Sequence, residues 1–263
     1  MAPLSSLAQQ LVGEQDAVSV LLPADVSPHD FQLKPSQRRE LARADAVFWI
    51  SPQLESGMAS VLGQMSHAHS FTDHADHADH ADHADHADHA HDDAHPWLSV
   101  TQSIELIEFL RDELIELAPQ REAEFARRAD TAIDRLEKRQ AQWLQQMQPL
   151  ADLRYWVFHD AYQAFEAEYG LDHQGVIQAN VNVSPSPKQI ATLSRAIGET
   201  GGCVFREPQM DARWVDLVVG NSPVWVGVLD PLGSAYDVDT DLHINVISSL
   251  VTSFQECFSA IRP

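Results

Sequence analysis

Four side chains in this sequence combine metal-binding chemistry with suggestive placement. His29 lies in Leu-Pro-Ala-Asp-Val-Ser-Pro-His-Asp and His95 in Ala-His-Pro-Trp-Leu. His159 lies in Trp-Val-Phe-His-Asp-Ala-Tyr and Asp230 in Val-Leu-Asp-Pro-Leu-Gly. Neutral imidazole is a good ligand for borderline divalent ions, and a carboxylate adds a harder oxygen. Three imidazoles with a carboxylate or a water make a compact tetrahedral set that suits Zn²⁺. Mn²⁺ prefers more oxygen ligands and fits less well, while Ni²⁺ and Cu²⁺ stay open. Each residue alone has a plainer reading. A single histidine near a strand end is more often a hydrogen-bonded structural residue, and Asp-Pro is a common start of a turn. Their joint occurrence in both halves of the chain is what points to metal.

The composition agrees. Of 14 histidines, ten lie between His67 and His95, and the triplet Asp-His-Ala runs six times in a row from Asp73 to Ala90. A segment with no large apolar residue and no core-forming period cannot recover its ordering entropy by burial. It is therefore expected as a flexible loop over about 66–93, able to act as a weak collector of cations. The formal charge is −22, and −14 remains once the eight acidic residues of Asp73 to Asp93 are set aside. A chain this acidic repels phosphate backbones and anionic lipid, which makes nucleic acid and membrane surface poor partners. The opening residues have no basic stretch followed by an apolar run, so they do not read as a secretion signal.

The elements that must position these side chains alternate between strand and helix. Ala17–Leu22 and Ala46–Ile50 read as buried strands around a helix that starts at Pro35. Residues 119–149 form one long helix without an internal Gly or Pro. Phe125, Ala129, Ile133, Leu136, Trp143, Leu144 and Met147 mark its apolar face. Strands at Arg154–Phe158, Cys203–Phe205 and Val224–Leu229 then alternate with helices at 161–169, 187–198 and 242–261. The expected fold class is α/β: two βα lobes, 1–118 and 150–263, joined by a long rigid helix, with a metal site in the cleft between them. Parallel α/β sheets bind ligands at the carboxyl ends of their strands, where His29, His159 and Asp230 are expected to fall.

These segments together resemble the ZnuA/TroA-type solute-binding proteins, the metal-capturing components of ABC importers. Ser27-Pro28-His29-Asp30-Phe31 with Pro35-Ser36 and Trp49 is similar to their first ligand segment. His95-Pro96-Trp97-Leu98-Ser99 is similar to the second, Phe158-His159-Asp160-Ala161-Tyr162 to the third, and Leu229-Asp230-Pro231-Leu232-Gly233 to the fourth. Trp97-Leu98 fixes the register of the second segment on His95 rather than His91. The resemblance covers nearly the whole chain and implies zinc as cargo, with a ligand set of His29, His95, His159 and Asp230. Manganese-preferring relatives usually carry a carboxylate where this chain has His159.

The same resemblance implies a monomer in the periplasm, a membrane ABC permease as partner, a periplasmic zinc chaperone as a second partner, and a disulfide between Cys203 and Cys257. Family members open with a secretion signal and a first strand ending near Pro-Leu. Met1-Ala-Pro-Leu4 falls at about the end of that strand, so the N-terminal sheet is expected to lack an inner strand. Two other readings stay open on residues alone. A zinc-dependent hydrolase also uses three ligands and an open position, although no His-Glu-x-x-His pair is present. A histidine-rich metal buffer would need no transport partner.

Overall fold

A computed structural model describes residues 1–78, 94–181 and 183–261. The first half contains α1 (Ala2–Leu11), α2 (Pro35–Leu41), β1 (Val47–Trp49), α3 (Ser56–Leu62), β2 (Ala68–Ser70), α4 (Phe71–Ala78) and α5 (Val100–Leu117). The long α6 (Glu122–Met147) follows. The second half contains β3 (Tyr155–Trp156), α7 (Gln163–Tyr169), α8 (Pro187–Thr200), β4 (Cys203–Arg206), α9 (Arg213–Val219), β5 (Trp225–Val228) and α10 (Leu242–Ile261). Each half has its own parallel sheet, β1-β2 in the first and β3-β4-β5 in the second. The molecule is thus α/β in two lobes. Among the described residues, no helix is long and apolar enough to cross a membrane.

The boundaries follow local chemistry. Ser186 caps α8 in a capping box with Gln189, and Pro187 fills the first turn, where its missing N–H is no loss. Gly170 ends α7 at φ 66°, a left-handed conformation that costs glycine little. Gly202 has φ 95°, and a Cβ there would stand 2.1 Å from the carbonyl oxygen of Arg154. Only a hydrogen at that position lets β3 and β4 lie side by side.

At 1.5 Å per residue, α6 is about 39 Å long. Phe125, Ala129, Ala132, Leu136, Trp143 and Met147 form its buried stripe, and it packs against α1, α5 and α10. Leu144, expected on that face, is 43% exposed, and Ala132 takes its place in the stripe. The start of α6 is tied down by a two-pronged bond from Arg121 to Asp16, at 2.8 and 2.7 Å, which holds the Asp16 carboxyl down to about 2. Cys203 and Cys257 form the disulfide, joining β4 to α10. Closing a loop of that length contributes about 4 kcal/mol in the chain-entropy account.

Two expectations are corrected. Residues 17–22 form no strand; a strand exists only by pairing, and no described segment pairs with them. The histidine-rich stretch was expected as loop from about residue 66. Instead Ala68–Ser70 pairs with β1, and Phe71–Ala78 is helical. The anchors are aromatic: Phe71 and His74 both pack on the ring of Phe109 in α5, and His69 pairs with Glu113 one turn along. The remaining triplets, from residue 79 to 93, lie outside the described residues.

His243 of α10 is fully buried and stitches the halves together. Its Nε2 lies 2.8 Å from the carbonyl of Trp97; a carbonyl only accepts, so Nε2 carries the hydrogen. Burial lowers its pKa to about 4, against the small opposing effect of that bond. A histidine depressed in the folded state contributes stability that is complete above its unfolded pKa, about 6.5, and is lost as pH falls towards 4. We expect the metal-free protein to lose about 3 kcal/mol over this window through His243. Urea unfolding with a chelator present, between pH 7.5 and 4, checks this. His243→Gln should show a shallower decline, and an unchanged slope would contradict the assignment.

Candidate metal centre

His29 sits in the loop before α2. Its backbone N–H donates to the hydroxyl of Ser27, and its carbonyl accepts from the hydroxyl of Ser56 at the start of α3. His95 opens a single helical turn, Pro96–Leu98, whose Trp97 and Leu98 are wholly buried. His159 follows β3, where Val157 and Phe158 are held by backbone bonds to Gly175, Ile177 and Gln178. Asp230 follows β5, in the turn that continues to Gly233.

Three of these four come together. One nitrogen from each of His29, His95 and His159 lies within 4.8 Å of the other two. Their ring centroids are 5.2 to 5.8 Å apart. Nε2 of His95 and Nε2 of His159 are 3.4 Å apart. A tetrahedral ion with Zn–N bonds of about 2.0–2.1 Å sets neighbouring nitrogens about 3.3–3.4 Å apart, so this spacing is that of two ligands on one ion. Nε2 of His29 is buried and makes no hydrogen bond. The pKa of His29 is lowered to about 3, first by burial and then by the repulsion that cationic His95 and His159 would exert. At neutral pH this ring is an uncharged donor of a lone pair.

Asp230 is not within that 4.8 Å group. Its Oδ1 accepts from the Gln209 amide at 2.8 Å and from the backbone N–H of Leu232 and Gly233. Its Oδ2 accepts from the hydroxyl of Ser234 at 2.8 Å. The carboxylate organises its own turn, and Gln209 ties it to the carbonyl of Ala24 in the other half.

His95 is held from across the cleft. The indole N–H of Trp97 donates to the carbonyl of Pro231 at 2.7 Å, and the Trp97 carbonyl receives the bond from His243. The first turn of α5 meets the carboxylate of Glu168 in α7. That group accepts from the hydroxyl of Ser99 at 2.6 Å and the N–H of Val100 at 2.7 Å, a favourable place for negative charge. A further residue at the centre was not singled out in the sequence. Glu207 directly follows β4, and its carboxylate meets Nδ1 of His159 at 2.7 Å. The strand-end rule that marks His159 and Asp230 marks it equally.

Fold and centre define a two-lobed α/β binding protein with a cluster of three histidines, two buried and one half-buried, between the lobes. The chain belongs to the ZnuA family, the periplasmic component A of zinc-uptake complexes, whose profile matches residues 1–257. It is 28% identical to the high-affinity zinc uptake system protein ZnuA of Yersinia pestis, over 97% of this chain and 88% of that one. A crystal structure of ZnuA superposes with a TM-score of 0.78 at 22% identity, covering 97% of this chain and 96% of that one. The solute-binding protein FpvC of P. aeruginosa, solved in complex with a Ni²⁺ ion, superposes with a TM-score of 0.81 at 19% identity, covering 100% and 96%. The two structural likenesses establish the fold. Members of the family are transport components rather than enzymes, which sets the hydrolase reading aside.

Asp230→Asn separates the carboxylate's part from that of the imidazoles. Because its oxygens are engaged within the turn, we expect the variant to lower the melting temperature while zinc affinity changes by less than about tenfold. Chelator competition alongside a thermal melt measures both. A loss as large as that of a histidine variant would make Asp230 a ligand.

Proposed function

We propose that this protein captures a zinc ion in the cleft and hands it to a membrane ABC permease. His29, His95 and His159 are the ligands, and solvent completes the shell. The observation that carries this reading is the convergence of the three imidazoles, one nitrogen of each within 4.8 Å of the other two, with the His95–His159 pair at the 3.4 Å of two ligands on one tetrahedral ion. Three neutral nitrogens with no carboxylate in the set favour Zn²⁺ over Mn²⁺. The names of the Yersinia pestis and Haemophilus ducreyi relatives, high-affinity zinc uptake system proteins, support the same cargo.

The ion ties the lobe of residues 1–118 to that of residues 150–263, and the helix of residues 119–149 limits how far they part. Loaded and empty forms then differ by modest, local ordering. The permease needs only a difference in affinity between the two forms to select the loaded one. A periplasmic location agrees with the family's description and with a disulfide, which oxidising compartments maintain. The protein acts there as a monomer, receiving zinc from solution or from a periplasmic zinc chaperone. The Asp-His-Ala tract raises the local concentration of zinc through many weak contacts.

Zinc titration of a chain with residues 79–93 removed tests the centre without the tract. One tight site is expected, with a rise in melting temperature because the ion binds the native state. Replacing His29, His95 or His159 with Ala should weaken that site by about two orders of magnitude or more. Binding only through several weak sites, abolished with the tract, would favour a metal buffer instead. Growth of zinc-starved cells that depends on the chain, and on these histidines, would support import.

A further inference from the structure

Glu207 is the buried ionisable group nearest the ligand set that the set itself does not use. Only 1% of its side chain is exposed. Oε1 meets Nδ1 of His159 at 2.7 Å and lies 3.4 Å from the backbone nitrogen of the same residue. The buried hydroxyl of Tyr162 faces the same carboxylate, and its pKa is raised well above the usual phenol value by burial and then by the charge of Glu207. Among the described residues, the ion pairs of Glu207 involve His159 and neither Lys nor Arg.

A carboxylate accepts hydrogen bonds and does not donate them, so Nδ1 of His159 must carry the ring hydrogen. Nε2 is then left with its lone pair, on the side of the ring that faces Nε2 of His95 at 3.4 Å. Without an acceptor at Nδ1 the ring could place its hydrogen on Nε2, where it would block coordination, and it could rotate. A carboxylate stripped of water is also costly unless positive charge stands near it. An ion bound by three neutral imidazoles brings two positive charges to within one ring's width of Glu207.

We propose that Glu207 is the positioning residue of the centre: it fixes the tautomer and rotation of His159 and supplies buried negative charge that favours a divalent cation there. The proposal rests on the three-histidine reading given above. Glu207 does not touch the ion; it acts through His159.

The test uses the chain lacking residues 79–93, with Glu207→Leu and Glu207→Gln. Long-range ¹⁵N NMR of the metal-free protein reads the tautomer of His159, and chelator competition reads zinc affinity. In the wild type His159 should hold its hydrogen on Nδ1. Glu207→Leu should lose that single tautomer and weaken zinc binding by about 10–100-fold. Glu207→Gln, whose amide oxygen still accepts from Nδ1, should keep the tautomer and recover part of the affinity. A carboxylate that served only the packing of β4 and Tyr162 would change the melting temperature without moving the His159 resonances. Finding the hydrogen on Nε2 in the wild type overturns the proposal even if no variant folds. Unchanged zinc affinity in a folded Glu207→Leu overturns it too. If Glu207→Leu binds normally while His29→Ala and His95→Ala do not, the three-histidine centre stands and only this proposal falls. If those alanine variants also bind normally, the centre itself is wrong.

Discussion

The indole of Trp97 donates across the cleft to the carbonyl of Pro231, and the place of His95 relative to His159 depends on that bond. His95 and Trp97 belong to the first half of the chain, while His159 and Pro231 belong to the second. The same short turn is gripped twice more, by His243 of α10 at its carbonyl and by Glu168 of α7 at the start of α5. The bonds of Trp97 and His243 are buried, where a lost partner leaves an unsatisfied polar group and costs more than the bond itself contributes, and those of Glu168 are partly buried. The ligand cluster is therefore held ready by contacts that need no ion. This preorganisation keeps the ordering that accompanies binding small and local.

Charge acts on two scales. The formal −22 of the chain draws cations from a distance, with a reach set by the Debye length. Inside the cleft the depressed pKa of His29 means that protons compete little with the ion at that ring. The nearest buried carboxylate in hydrogen-bond contact stands behind His159. The long field gathers many kinds of cation, and the short-range nitrogen set chooses among them.

Much of this was legible in the sequence because local rules and tertiary context agree. Most of the α6 stripe, the helices of the second half and the strands before His159 and Asp230 follow from patterns of a few residues. What was not legible depended on distant partners. Ala17–Leu22 has strand composition but no partner strand among the described residues. Residues 68–78 look like low-complexity tract, yet Phe71 and His74 find Phe109 on a helix far along the chain. The three histidines could be named as candidates, but their spacing and the bonds of Asp230 to its own turn are properties of the fold. Glu207 could have been flagged by its position after a strand; nothing local showed that it would face His159.

The most direct measurement is X-ray absorption at the zinc edge on the chain lacking residues 79–93, loaded with one equivalent of zinc. A shell of nitrogen and oxygen at about 2.0–2.1 Å, with outer scattering from three imidazole rings, is the predicted result. A shell with one imidazole or none would mean that zinc binds elsewhere, and that the convergence of His29, His95 and His159 has another purpose.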